Sequence, residues 1–305
     1  MIIGIDHGYG YIKTCHSVFA SGVAAFDAEP AFSKRLVELD GRFYQVGCQP
    51  DGLAADKTAT EDYYIMTLAA IAEEMKAAGT TGAYVTLAVG CPLTRYGREK
   101  SQLEAYLSKN TKITFKYEGT EYKVYGISHI YTYPQGYAAI VDRLSRIKGA
   151  CYLIDVGTGT TDISPISSDK SIDLAKARTL QMGVSNCISM INEAISREYQ
   201  TELPANVIID VMVGRDVVLP PVIISLIEET ISSWCEILLK QLNQNKIDYR
   251  LTQTFFAGGG ALLLSKYAKS IDPERSCITY ITDVTANAKG YELLAAAQSQ
   301  NKQGK

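Results

Sequence analysis

Two short stretches of this chain end an apolar run on an aspartate and follow it with a Gly-x-Gly turn: Ile5-Asp6-His7-Gly8-Tyr9-Gly10 and Ile154-Asp155-Val156-Gly157-Thr158-Gly159. Glycines at this spacing let backbone N–H groups come close to an oxyanion and form a nest for phosphate. A carboxylate repels phosphate, but it suits the water shell that Mg2+ keeps when it binds protein. The two stretches therefore read as a duplicated phosphate device, with Asp6 and Asp155 holding the metal through water. Lys13, on the strand leaving the first turn, can reach phosphate as a point charge. Each turn opens one half of the chain, which implies a duplicated lobe and a cleft between the lobes.

The surrounding pattern separates these turns from other phosphate loops. GxxxxGK[ST] is absent, and β-type residues follow each turn: Tyr11-Ile12-Lys13-Thr14 and Thr160-Thr161-Asp162-Ile163. P-loop and dinucleotide-binding units place a helix there. Strands are expected at 2–5, 84–89, 151–155 and 254–256. Hairpins are expected at 37–39 with 43–46, turning on Asp40-Gly41, and at 112–117 with 121–125, turning on Glu118-Gly119-Thr120. Helices are expected at 61–78 with Thr60 as N-cap, from about Gly136, and at 185–198, 221–242 and 286–297. Within 221–242, Ile223, Ile227, Ile231, Trp234, Leu238 and Leu242 form one apolar stripe. The polar tail after Gln298 reads as frayed.

Composition excludes several functions. The net charge is −3, so no global basic field is available to hold nucleic acid directly. Seven scattered cysteines without metal-knuckle spacing read as reduced thiols, and three histidines make a histidine-based zinc site a poor reading. The start, MIIGIDHGYG, has neither the basic region nor the cleavage site of a secretory signal, and no run reaches the ~18 apolar residues of a membrane span. The expected location is the cytoplasm, with no membrane partner.

Five segments together resemble the actin, sugar-kinase and heat-shock-chaperone superfamily. They are IDHGYGYIK (5–13), YPQGYAA (133–139), IDVGTGTTDIS (154–164), FFAGGGALL (255–263) and ANAKGYELL (286–294). VGCPLTRYGREKSQLEAYL (89–107) and the Pro134-Gln135-Gly136 turn are similar to the bacterial and archaeal actin-like filament proteins of the ParM/StbA type. The resemblance implies an α/β actin-like fold of two lobes with duplicated ribonuclease-H-like topology and a nucleotide cleft between them. It sets the first lobe at 1–148 with a smaller insertion at about 26–80, and the second at 149–285. A C-terminal helix and tail, 286–305, returns to the first lobe.

The resemblance also implies roles. Asp6, Gly8, Tyr9, Gly10 and Lys13 would bind nucleotide from the first turn, although packing is the simplest role for Tyr9. Gly157, Thr158, Gly159, Thr160 and Thr161 would do so from the second, and Gly258, Gly259 and Gly260 would lie against the nucleoside. Gln135 would orient the attacking water, since an amide is no general base. Asp155 and Asp162 would place metal or water. His7 reads as a hydrogen-bonded turn residue, and Arg95 to Lys100 as a solvated helix start. The implied function is a self-assembling protein that binds and hydrolyses ATP, or GTP, with Mg2+. It would move plasmid or other DNA through a DNA-binding adaptor. The alternative is a small-molecule kinase of the same fold, which needs a cleft aspartate that the sequence does not identify, or a non-polymerising ATPase.

Overall fold

The computed structural model describes residues 1–48, 57–271 and 277–303. Residues 49–56, inside the stretch read as an insertion, 272–276 of the second half, and 304–305 of the tail lie outside these. The chain divides into two units, Met1–Ser145 with Thr285–Lys305, and Arg146–Val284.

In the first unit, β1 (Ile2–His7) turns into β2 (Tyr11–Lys13), antiparallel, with Asp6 opposite Lys13. β3 (Val18–Ala20) and β4 (Val23–Phe26) follow. β5 (Leu36–Leu39) and β6 (Arg42–Val46) form the hairpin at Asp40-Gly41, both residues taking the positive φ that a tight hairpin turn needs. Next come α1 (Asp62–Ala77), β7 (Gly82–Cys91), α2 (Tyr96–Leu107), β8 (Ile113–Tyr117) and β9 (Thr120–Pro134). The nine strands make one sheet in the order β3-β2-β1-β7-β9-β8-β5-β6-β4. β1, β7 and β9 run parallel, and the near-continuous apolar run of β1 is that of a strand covered on both faces. Within 26–80, β5 and β6 extend this sheet, while α1 shares its core through Tyr63 to Met75.

The second unit repeats the plan. β10 (Cys151–Val156) and β11 (Thr161–Ile166) form an antiparallel hairpin, and β12 (Arg178–Leu180) pairs outside β11. α3 (Val184–Tyr199), α4 (Ala205–Val213) and α5 (Pro221–Gln244) lead to β13 (Thr254–Ala257), α6 (Gly259–Tyr267) and β14 (Ile278–Tyr280). The sheet order is β12-β11-β10-β13-β14, with β10, β13 and β14 parallel. The sense of pairing matches β3-β2-β1-β7-β9 strand for strand, so the sequence echo is also an echo of topology. All six residues of the α5 stripe are buried; each large apolar side chain so placed contributes roughly 1.5–3 kcal/mol of transfer free energy.

Helix α7 (Ala286–Gln303) belongs to the first unit and packs on β1 and β7. Glu292 accepts the Gly4 N–H at 2.9 Å, and the Asn287 side chain accepts the Gly136 N–H at 3.1 Å. The helix approaches through Gly290, where an added Cβ would lie 1.9 Å from the Ala138 carbonyl oxygen. Alanine is the better helix former by about 1 kcal/mol, but backbone cannot yield as a side chain can. Gly290→Ala should therefore lower unfolding free energy by about 2 kcal/mol, measured by denaturant titration; an unchanged or raised midpoint would refute the contact.

Three local expectations need correction. The segment after Gly136 is a 3-10 helix, Tyr137–Arg146, opened by an i→i+3 bond from Ala139 N–H to Gly136 O. The residues after Gln298 do not fray at once: α7 continues to Gln303, with Gln298 accepting from the Tyr133 hydroxyl and Ser299 donating to Ala295 O. The N-cap of α1 is Glu61, and Thr60 Oγ1 accepts the Asp62 N–H at a long 3.4 Å.

Candidate functional site

The first turn spends its carbonyls on the protein. Asp6 O accepts from Gly8 N–H at 3.0 Å, His7 O from the Lys57 ammonium, Gly8 O from the Ser21 hydroxyl at 2.8 Å, and Gly10 O from Ser21 N–H at 3.0 Å. No acceptor among the described residues meets the N–H groups of Tyr9 or Gly10. The turn thus directs carbonyl oxygens inward and keeps amide donors in reserve, the polarity of an anion nest.

Asp6, Lys13 and Gln135 come together beside this turn. Lys13 Nζ lies 3.4 Å from Asp6 Oδ2, and Gln135 Nε2 donates to Asp6 Oδ1 at 3.0 Å. Burial works to raise the Asp6 pKa, but the charges of Lys13 and Lys57 and the Gln135 hydrogen bond outweigh it and hold the carboxyl below its ordinary value. Gln135 ends up here because its own N–H is tied to Cys91 O at 2.8 Å, at the end of β7.

His7 is buried, with Nε2 2.8 Å from Thr67 Oγ1. The Thr67 hydroxyl donates to Tyr63 O at 2.6 Å, so Nε2 carries the imidazole proton. Burial, helped by the Lys57 charge, lowers the His7 pKa to about 3, so the ring is neutral and works as a structural link to α1. Tyr9 accepts a hydrogen bond from Arg95, which is ion-paired with Glu99 at 3.0 Å. Arg95 is therefore a partner of the turn and not merely part of a solvated helix start. Sequence reasoning also missed Lys57, which sits in a polar stretch without periodicity and carries no signal of its own.

The second turn has the same polarity. Gly157 O and Thr158 O accept the first N–H groups of α3, from Val184 at 3.0 Å and Ser185 at 2.8 Å, and Thr160 O accepts from Gly157 at 2.8 Å. The N–H groups of Thr158 and Gly159 meet no acceptor among the described residues. The positive end of α3 thus backs the turn. Thr161 is buried and its hydroxyl donates to Met182 O at 2.6 Å, so that side chain serves packing. Asp162 accepts from the Thr179 hydroxyl at 2.6 Å and from Thr160 at 3.4 Å.

Gly258, at φ +80°, closes this side. A Cβ there would stand 2.4 Å from Asp155 Oδ1 and 2.5 Å from Val156 O. Gly259 and Gly260 open α6 directly behind it. The second unit therefore brings Asp155, the turn and the glycine triplet to one place.

The two hairpins differ in charge at one pair of residues. Asp6 faces Lys13 across β1 and β2, whereas at the equivalent positions of β10 and β11 Asp155 faces Asp162. Directly opposed residues of an antiparallel pair point to the same face, where like charges are unfavourable without a compensating cation. The first hairpin carries a neutralised carboxylate, the second an acidic pair.

Residues 4–137 match the family of actin-like proteins' N-terminal domain, and residues 153–269 match the C-terminal domain of the archaeal, MreB-like actin homologues. The chain is an actin-like protein. A search of curated proteins by sequence finds no match. Among solved structures, the archaeal actin homologue Ta0583 in complex with ADP aligns at 22% identity, covering 97% of this chain and 99% of that one, with a TM-score of 0.76. The apo ParM protein of psk41 aligns at 13% identity over 98% of both chains with a TM-score of 0.70. The Alp12 filament structure aligns at 18% identity over 98% of both chains with a TM-score of 0.64. At these identities the likeness is one of fold. In this actin-like protein no helix among the described residues is long and apolar enough to cross a membrane.

Proposed function

We propose that this actin-like protein binds ATP, or GTP, with Mg2+, hydrolyses it, and assembles with copies of itself into filaments whose lifetime is limited by hydrolysis. The observation that carries the reading is the repeated Asp-x-Gly-x-Gly hairpin whose carbonyls face protein donors while its central amides remain available. Each turn is then a phosphate-binding element. The ADP bound to Ta0583 and the filament formed by Alp12 support the nucleotide and assembly parts.

The residues fit Mg2+. No group of three or more His, Cys, Asp or Glu residues able to hold a metal occurs among the described residues. Mg2+ needs no such cage, since it keeps most of its waters and takes one or two carboxylates plus phosphate. The opposed Asp155 and Asp162 are the side chains suited to that water shell, and the cation would neutralise phosphate charge. In the first unit Asp6, paired with Lys13, would be the carboxylate suited to such a shell. The net charge of −3 favours reaching DNA through an adaptor, as the resemblance to ParM proteins suggests for a cytoplasmic segregation role.

A pelleting and light-scattering series tests this. The protein should sediment with Mg-ATP or Mg-GTP, and much less with the diphosphate or after chelation of the metal. Binding of nucleotide without sedimentation across a broad concentration range would overturn the filament reading, and absence of binding would overturn the whole.

A further inference from the structure

The first turn is gripped by a lysine that the actin-like resemblance does not assign. Lys57, just ahead of α1, donates from Nζ to His7 O, the carbonyl between Asp6 and Gly8. Its ammonium stands 4.6 Å from the centre of the Tyr9 ring and 5.8 Å from that of Tyr63. Both distances are those of a cation on an aromatic face. The two rings are themselves tied to the turn. The Tyr63 hydroxyl donates to Gly8 O at 3.4 Å, and Tyr9 belongs to the turn and is held from outside by Arg95. Lys57 and Tyr9 also line one wall of a small cavity with Thr58, Cys91, Glu99 and Gln102.

A peptide unit is planar, so fixing the His7 carbonyl fixes the Gly8 N–H on its opposite side. That N–H is the donor to Asp6 O. The ammonium therefore sets the orientation of the peptide on which the rest of the turn depends, and it brings a second positive charge, besides Lys13, near Asp6. Losing it would release the carbonyl to rotate toward the anion and would leave the turn to be ordered by the nucleotide itself, at the expense of affinity.

We propose that Lys57 is a positioning residue for the first phosphate turn, clamping the His7–Gly8 peptide so that the turn's amides are preset for a nucleotide's phosphates. The proposal rests on the nucleotide-binding reading above. It makes the segment leading into α1 part of the nucleotide response, with Lys57 acting through the turn and not as a catalytic residue.

The test is equilibrium binding of a fluorescent ATP analogue with magnesium to wild type, Lys57→Met and Lys57→Arg, alongside single-turnover hydrolysis at saturating ATP. Lys57→Met should bind about ten-fold more weakly, the size of one lost charge-assisted hydrogen bond, and hydrolyse at close to the wild-type rate once saturated. Lys57→Arg, which can still donate to the carbonyl, should recover most of the affinity. In the unmodified protein, Mg-ATP should lower acylation of Lys57 by an amine reagent, read by peptide mass spectrometry, which keeps the proposal testable if Lys57→Met fails to fold. Equal affinity of wild type and Lys57→Met, or acylation of Lys57 unaffected by Mg-ATP, overturns the clamp while leaving nucleotide binding intact. A wild type that binds no nucleotide overturns the underlying reading as well.

Discussion

Asp155→Ala is expected to slow nucleotide hydrolysis on the order of 10³-fold, the scale of losing a preorganised electrostatic contact to the reacting phosphate. Asp155 faces Asp162 across the β10–β11 pair, and Gly258 is packed against its carboxylate. The loss should appear in catalysis and in the magnesium requirement, which should move to higher concentration. Asp155→Asn keeps the volume against Gly258 and removes the charge, so it should show the same kinetic loss. Asp6→Ala gives the contrasting case: it strands Lys13 and Lys57 without their carboxylate, so it should also lower thermal stability. A single-turnover rate for Asp155→Asn equal to wild type, at unchanged magnesium dependence, would remove Asp155 from the metal's water shell.

Local rules made much of this fold legible in the sequence. The strand–turn–strand reading of residues 5–13 and 154–164 rested on β-type residues after each Gly-x-Gly, and both turns form antiparallel hairpins. The α5 stripe was readable because an amphipathic helix against a sheet must repeat its apolar residues at three- and four-residue steps. Helices α4 and α6 were not foreseen. Each has only nine residues, too short for periodicity to distinguish it from a buried strand, and α6 begins inside the glycine triplet that reads as a turn. The 3-10 helix after Gly136 starts where the Asn287 side chain of α7 accepts the Gly136 N–H, a contact between residues far apart in sequence.

The site was legible where a residue type is demanded by chemistry and hidden where a common residue is recruited by position. Asp6, Lys13 and Gln135 were candidates from the motif and its resemblance, and they share one hydrogen-bonded cluster. Thr161, a nucleotide-binding candidate through its backbone or its hydroxyl, spends that hydroxyl on Met182 O because the alternation of β11 turns it into the core. Lys57 and Arg95 were invisible as site residues because an isolated lysine or arginine in a polar stretch reads as solvated surface. What makes each distinctive, the His7 carbonyl for one and the Tyr9 hydroxyl for the other, is created by tertiary approach.

Gln135→Ala should separate binding from chemistry. The main chain at this position is fixed without the side chain, by Gln135 N–H to Cys91 O and by Gly136 N–H to the Asn287 side chain. Truncation should therefore leave the fold and the path of β9 unchanged. The amide gives one N–H to Asp6 Oδ1, and its inventory still includes a second N–H and a carbonyl oxygen able to orient a water beside that carboxylate. Asp6 remains ionised in the variant, since Lys13 and Lys57 still act on it. The expected loss is one of positioning, realised in the transition state more than in the ground state, so ATP affinity should stay near wild type while hydrolysis slows by ~10²-fold. If hydrolysis limits filament lifetime, Gln135→Ala filaments formed with ATP should outlast wild-type filaments in a light-scattering decay. Weakened nucleotide binding with an unchanged rate at saturation would make Gln135 a binding residue. A normal filament lifetime despite slowed hydrolysis would instead disconnect chemistry from disassembly.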